Sequence, residues 1–369
     1  MNVKIRLKYL VAIIRKECFQ ILRDPSAILL SGIFPLLLLF LYGTGLSLDN
    51  KNLSLAIVNN NYSPIANNFI QSLIHSPSFS ITYGTDLREM EPLLIEGKVL
   101  GIVVIPLDFP DKTPLRIITD GSEPNTAKFV HSYVEMALHS YLAQESLAEG
   151  FPYSPPINLE VRNWFNEGLE SRNFIIPGSI AIIMALIGSL LTSLVISREW
   201  ELGTFESLMS TPVTIIEILL GKMIPYFFLA MGSMLICVTV ATLFYNVPLR
   251  GSLWVLTATT SIFLLSSLGL GLLSSSLFKK QLPAAQMALM IGFLPAFMLS
   301  GFIFEIESMP LPIYLMTYLL PPRFFVSSLK TIFLVGNLWT EIFLDTAIIA
   351  TLAFFFFFLA SKITVKRLD

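Results

Sequence analysis

The chain has 369 residues, 54% of them hydrophobic and only 14% charged, with a mean hydropathy of +0.71. That is too apolar for a water-soluble globule of this length and defines an integral membrane protein. A net charge of -2 says little about partners, no basic cluster suggests nucleic acid, and Cys18 and Cys237 alone supply neither a disulfide framework nor a thiolate metal site.

In residues 1–26, Leu7, Leu10, Val11, Ile14, Cys18, Ile21 and Leu22 fall on one arc of a helix, with Lys8, Arg15, Lys16 and Arg23 away from its centre. This pattern predicts a cytosolic amphipathic helix lying in the membrane interface, broken at Asp24-Pro25. A signal sequence is the poorer reading, because no small-residue cleavage pattern follows.

Six stretches reach the roughly 20 apolar residues that a spanning helix needs. They run from Ile28 to Leu48, within transmembrane segment 27–48, then Phe174 to Ser197, Met223 to Tyr245, Leu253 to Phe278, Leu282 to Phe304 and Ile342 to Ser361. Their interiors read as apolar, hydroxyl-bearing or small, which argues against an ion-coupled carrier with charges along its path. The second carries Ala181, Ala185 and Ser189, and the fourth Ser267, Gly271 and Ser275, at spacings that let helices approach closely within one chain.

Between the first two spans, residues 49–172 alternate strand-like and helix-like runs. The strand-like runs are Leu53 to Val58, Phe79 to Tyr83, Val99 to Ile105 and Leu115 to Thr119; the helix-like runs are Ile65 to Ile74, Leu87 to Ile95 and Asn125 to Leu147. They predict a mixed α/β domain, with an irregular return through Pro152, Pro155 and Pro156. The remaining segment, 173–369, holds five spans and a piece at 306–322 too short to cross, read as re-entrant or interfacial.

Orientation follows from Lys and Arg near the span ends. With the N-terminus inside, thirteen flank the cytosolic ends, among them Lys4, Lys222, Lys279, Lys280, Lys366 and Arg367, against Arg250, Arg323 and Lys330 in the short outer loops. The expected protein is therefore α-helical and polytopic, with six transmembrane helices, both termini cytosolic and an extracytoplasmic α/β domain between helices 1 and 2.

Several chemical motifs are absent or weak. No Gly-x-x-x-x-Gly-Lys-Ser/Thr loop occurs, so ATP-driven work needs another subunit. His131, Glu135 and His139 are better read as a solvated helix face than as metal ligands. Ser327-x-x-Lys330 lacks the companion motifs of a penicillin-binding enzyme.

The informative polar stretch is Arg198-Glu199-Trp200-Glu201-Leu202-Gly203-Thr204-Phe205-Glu206-Ser207-Leu208-Met209-Ser210-Thr211-Pro212, between the second and third spans. As one helix over 198–212 it would present a ridge of Leu202, Phe205, Leu208 and Met209 flanked by Glu199, Glu201 and Glu206, ending at Pro212. Such a ridge suits a groove on a protein partner.

These residues, with Gly221-Lys222-Met223-Ile224-Pro225, Leu299 to Pro310, Leu320 to Val326, Gly101 to Pro106 and Asp120-Gly121-Ser122, resemble the ABC-2 type permeases of bacterial ATP-binding-cassette exporters. The outer segment is similar to the drug-efflux branch of Gram-negative inner membranes. The resemblance implies that Glu199, Gly203, Thr204 and Glu206 belong to the helix contacting a separate ATPase, which binds ATP and Mg, and that Arg198 and Pro212 bound it. It implies a homodimer or heterodimer of permeases among membrane lipids, no cofactor in this chain, and a periplasmic adaptor (membrane-fusion) protein as a candidate partner. Glu305 and Glu167 depart from the Pro of many relatives at those places. The expected function is export of small amphipathic compounds by a non-catalytic subunit. The alternatives are export of lipid or lipid-linked glycan, and a mechanotransmission subunit relaying ATPase motion.

Overall fold

A computed structural model describes residues 6–45, 53–61, 63–76, 79–84, 86–109, 115–120, 124–148, 165–166, 170–278 and 280–364. Lys4, Pro152, Pro155, Pro156, Glu167, Lys279, Lys366 and Arg367 lie outside the described residues. The chain forms two compact units, 1–48 with 163–369, and 49–162.

The helical unit begins with α1 (Leu7–Leu22). Its expected apolar arc is covered only along one edge: Leu7, Val11 and Leu22 are exposed, Leu10 and Ile14 half-buried and Ile21 buried, with Ile13 and Glu17 buried beside it. Asp24 then accepts a hydrogen bond from Ser26 N and caps α2 (Pro25–Ser31), with Pro25 at the first helical position, and α3 (Ile33–Gly45) continues the span.

Residues 49–162 contain a four-stranded sheet of order β2-β1-β3-β4. Here β1 (Leu53–Asn59) pairs in parallel with β2 (Phe79–Gly84) and β3 (Gly101–Ile105), and β4 (Arg116–Thr119) runs antiparallel to β3. Leu55, Ile57 and Val103 pack with Phe69 and Leu73 of α4 (Pro64–His75). Ala56 and Ile102, pointing the other way, meet Met90 of α5 (Leu87–Ile95). Val130 and Val134 place α6 (Pro124–Ala148) on the α4 side. Side chains alternating across a strand explain both cores. His131, Glu135 and His139 are exposed on α6, and the described residues hold no group of three or more acidic, His or Cys side chains placed for a metal ion.

The rest of the helical unit comprises α7 (Ser171–Glu201), α8 (Thr204–Met209), α9 (Ile215–Leu243), α10 (Leu253–Leu277), α11 (Gln281–Ala288), α12 (Leu294–Leu299), α13 (Leu311–Thr317), α14 (Pro321–Lys330) and α15 (Trp339–Ile363). A π-helical turn at Leu289–Phe293 joins α11 to α12. Six helical runs are long and apolar enough to cross a membrane: Pro25–Gly45, α7, α9, α10, Gln281–Leu299 and α15. Burial separates them, since 89% of the α7 window is buried against 11% for α15, making α7 the central helix.

The two small-residue ladders face one another. Ser275 Oγ accepts from Ile196 N and Ser197 N at 2.9 Å, and Thr192 Oγ1 donates to Leu268 O at 2.9 Å. Gly188 lies against Ser267, and Gly271 against Ser189 and Thr192, so α7 and α10 approach too closely there for larger side chains.

The expectation of spans free of charge needs correction. Asp345 stands in the second turn of α15, where Ser328 donates to it at 3.2 Å, and α9 begins eight residues before Met223, so Glu217 and Lys222 belong to that helix. Each charge is tolerable because it has a polar partner or lies near a helix end.

Two short helices, α13 and α14, follow the fifth span; neither is long enough to cross a membrane alone. Arg323 lies over the ring of Tyr318 at 3.8 Å, a cation–π contact that fastens α14 to the end of α13. Lys330 Nζ donates to Gly301 O at 2.9 Å and covers the Phe174 ring rather than serving Ser327.

Candidate functional site

The stretch 198–212 is not one helix. Glu199 and Glu201 finish α7, and Gly203 adopts φ +69°, a left-handed conformation that L side chains resist. Leu202 N and Gly203 N return to Arg198 O and Trp200 O, closing the helix before α8 starts at Thr204. α8 ends at Met209, three residues before Pro212, so Arg198 and Pro212 do not bound a single rod.

The expected ridge is divided by this turn. Phe205 is 2% exposed and packs on Trp200 with ring centroids 4.6 Å apart, so it anchors α8 instead of facing a partner. Leu202 is 64% exposed, Leu208 is half-buried, and the Met209 side chain lies outside the described residues. Glu201, Thr204, Glu206 and Pro212 are exposed; Glu201 accepts from Gln281 Nε2 at 2.7 Å.

Glu199 turns inward. Lys222 of α9 donates to Glu199 Oε1 at 3.0 Å and to Glu17 Oε1 of α1 at 2.8 Å. Lys16 pairs with both carboxylates, and Thr204 Oγ1 donates to Glu199 Oε2 at 2.7 Å. One residue earlier, Arg198 pairs with Asp24, the cap of α2. Burial alone would lower the Lys16 pKa, but the Glu199 hydrogen bond and the two carboxylates outweigh it and hold it above its ordinary value. Burial would raise that of Asp24, and the Arg198 contact keeps it below.

The start of α9 is fixed as firmly. Thr214 and Glu217 form a reciprocal capping box, and Arg6 N donates to Glu217 Oε1. Ile13 of α1 packs on Gly221, where a Cβ would come within 2.7 Å of it. Glu17 and Lys222 were not marked as site residues by sequence reasoning. The signal available was Glu17 at the edge of the apolar arc of α1, beside Leu10 and Ile21 rather than with the surrounding basic residues.

The geometry therefore defines an elbow whose tip, Leu202 to Ser207, is exposed except at Phe205 and is tied through Glu199 and Arg198 to α1, α2 and α9.

Comparison with known proteins gives the class of this chain, with its six helices long and apolar enough to cross a membrane. The profile described as ABC-2 family transporter protein matches residues 26–362. The chain is 44% identical over 361 residues to "Probable multidrug ABC transporter permease YbhS" of Escherichia coli K12, covering 96% of each. It is 31% identical over 331 residues to "Probable multidrug ABC transporter permease YbhR" of the same organism, covering 87% of this chain and 89% of that one. It is also 25% identical over 297 residues to "Inner membrane transport permease YhhJ" of E. coli K12, covering 75% and 76%. The chain belongs to the ABC-2 transporter family, as the permease subunit of an ABC exporter.

Proposed function

We propose that the chain exports small amphipathic compounds, drugs included, from the cytoplasm or inner membrane, using ATP hydrolysed by a separate subunit. The names of two relatives, "multidrug" permeases, support this cargo class. In this reading α1 and the elbow face the cytosol, residues 49–162 lie outside, and two permease chains assemble with the ATPase. The α/β unit is available to an adaptor protein.

One observation carries the coupling role: the exposed elbow is tied to α1 and α9 by the buried Lys222 cluster. Leu202 supplies the apolar contact, and Glu201 and Glu206 the charge that orients the partner. ATP-driven displacement of the tip would move α7, α1 and α9 together. The test is capture of an ATP-binding-cassette subunit by the tagged chain from detergent-solubilised membranes. Leu202→Arg with Glu206→Lys should lose it while the permease stays folded; unchanged capture would contradict the coupling role.

A further inference from the structure

Held by the edge that carries Ile13, Glu17 and Ile21, α1 leaves its other side open. Going round that open side, Leu7, Cys18, Val11 and Leu22 come first, then Arg15 and Lys8, then Phe19. Leu7 and Leu22 are 72% and 71% exposed, and Val11 and Phe19 about half. So much apolar area facing water costs free energy in proportion to its size. After Asp24 the chain enters the spanning run Pro25–Gly45 directly, which keeps α1 at the level of the lipid head groups.

The cations beside this strip are not neutralised. Lys8, Arg15 and Arg23 are exposed and form no ion pair among the described residues; Arg15 lies over the Phe19 ring at 5.8 Å. Glu17 is the one acidic residue of α1, and it is taken by Lys16 and Lys222. Nearby, Glu199 is held by the same two lysines and Asp24 by Arg198. The ion cluster therefore balances, and the excess positive charge of α1 stands on its open side, next to the apolar strip.

We propose that the open side of α1 is a binding surface for anionic phospholipid, with lipid phosphates at Lys8 and Arg15 and acyl chains beside Val11 and Leu22. Lys8 and Arg15 are seven residues apart, two turns along one line, so they edge the strip together. Zwitterionic lipid would cover the strip equally well, but only a net negative head group gives these cations a countercharge. Through Lys16 and Glu17 the same helix enters the ion cluster, so leaflet and elbow share one support. The inference concerns a lipid partner rather than cargo, and shares with the export reading only the position of α1 at the membrane surface.

Full-length protein in nanodiscs, carrying a bimane fluorophore on Cys18, tests this; Cys18 is exposed beside the strip, whereas Cys237 is buried. Doxyl-labelled phosphatidylglycerol is expected to quench as strongly as about fivefold more doxyl-labelled phosphatidylcholine. High salt should shrink that preference. Lys8→Gln with Arg15→Gln should remove most of it, and Lys8→Arg with Arg15→Lys should keep it. Equal quenching by the two lipids in wild type, no quenching by either, or a preference that survives the Gln substitutions overturns the proposal. So does a salt-insensitive preference in wild type, which requires no variant to fold. Neither ATP nor the ATPase is present in this measurement, so ATPase capture reports separately on the coupling reading.

Discussion

Lys222 of α9 and Glu17 of α1 meet at 2.8 Å with both side chains 1% exposed, joining segments 205 residues apart in the chain. Removing one member of such a buried pair strands the other, at a cost of about 3–5 kcal/mol. Lys222→Met should therefore lower the thermal midpoint of the purified protein. Lys222→Met with Glu17→Leu should recover part of the loss, because fewer charges remain stranded. A double variant no more stable than the single would show that Glu17 is not the partner that matters.

Gly203 has φ +69° and open space where a Cβ would stand, so its requirement is conformational rather than steric. Gly203→Val should cost about 1–2 kcal/mol at the turn, and Gly203→Asn much less, since Asn visits the left-handed region readily. The readout is ATP-driven transport in vesicles, where Val should reduce flux and Asn retain most of it.

At Gly271 an added Cβ runs into Thr192 Oγ1 and the Ser189 carbonyl, whereas at Gly269 it meets Phe356 Cβ at 3.4 Å, an ordinary contact. Gly271→Ala must force α7 and α10 apart, at a cost of about 1–3 kcal/mol or more. Gly269→Ala should be nearly neutral. Yield of monodisperse protein and thermal midpoint distinguish the two.

Burial pushes the Lys330 ammonium down to about 8 from its ordinary 10.5. Between those values the unfolded chain binds more protons at this site than the folded one, so the Lys330 contribution to stability rises with pH. Melting from pH 7.5 to 10 should show wild type gaining on Lys330→Met across that window. Parallel curves would mean that Lys330 titrates normally. For Asp24 the sign is opposite in cause: its stabilising contribution is present above the ordinary 3.8 and is lost as pH falls through its lower folded value.

Elements set by local pattern were legible in the sequence. The strand and helix runs of the α/β unit fall where β-branched and amphipathic patterns put them, because each depends on neighbours a few residues away. The ladders of α7 and α10 were readable as packing faces for the same reason. What failed depended on distant partners. Phe205 looked like part of an exposed ridge until Gly203 turned the chain and Trp200 received the ring. Glu199 looked like a flanking surface charge, and Lys222 like a topology marker, because nothing local announces that residues 17, 199 and 222 converge.

The most direct measurement places Glu206. In a Cys18→Ser background, Glu206→Cys is treated with a membrane-impermeant maleimide. The account predicts labelling in inside-out vesicles, protection by the bound ATPase, and none in intact spheroplasts. Labelling from outside the intact cell, or no protection by the ATPase, would contradict it.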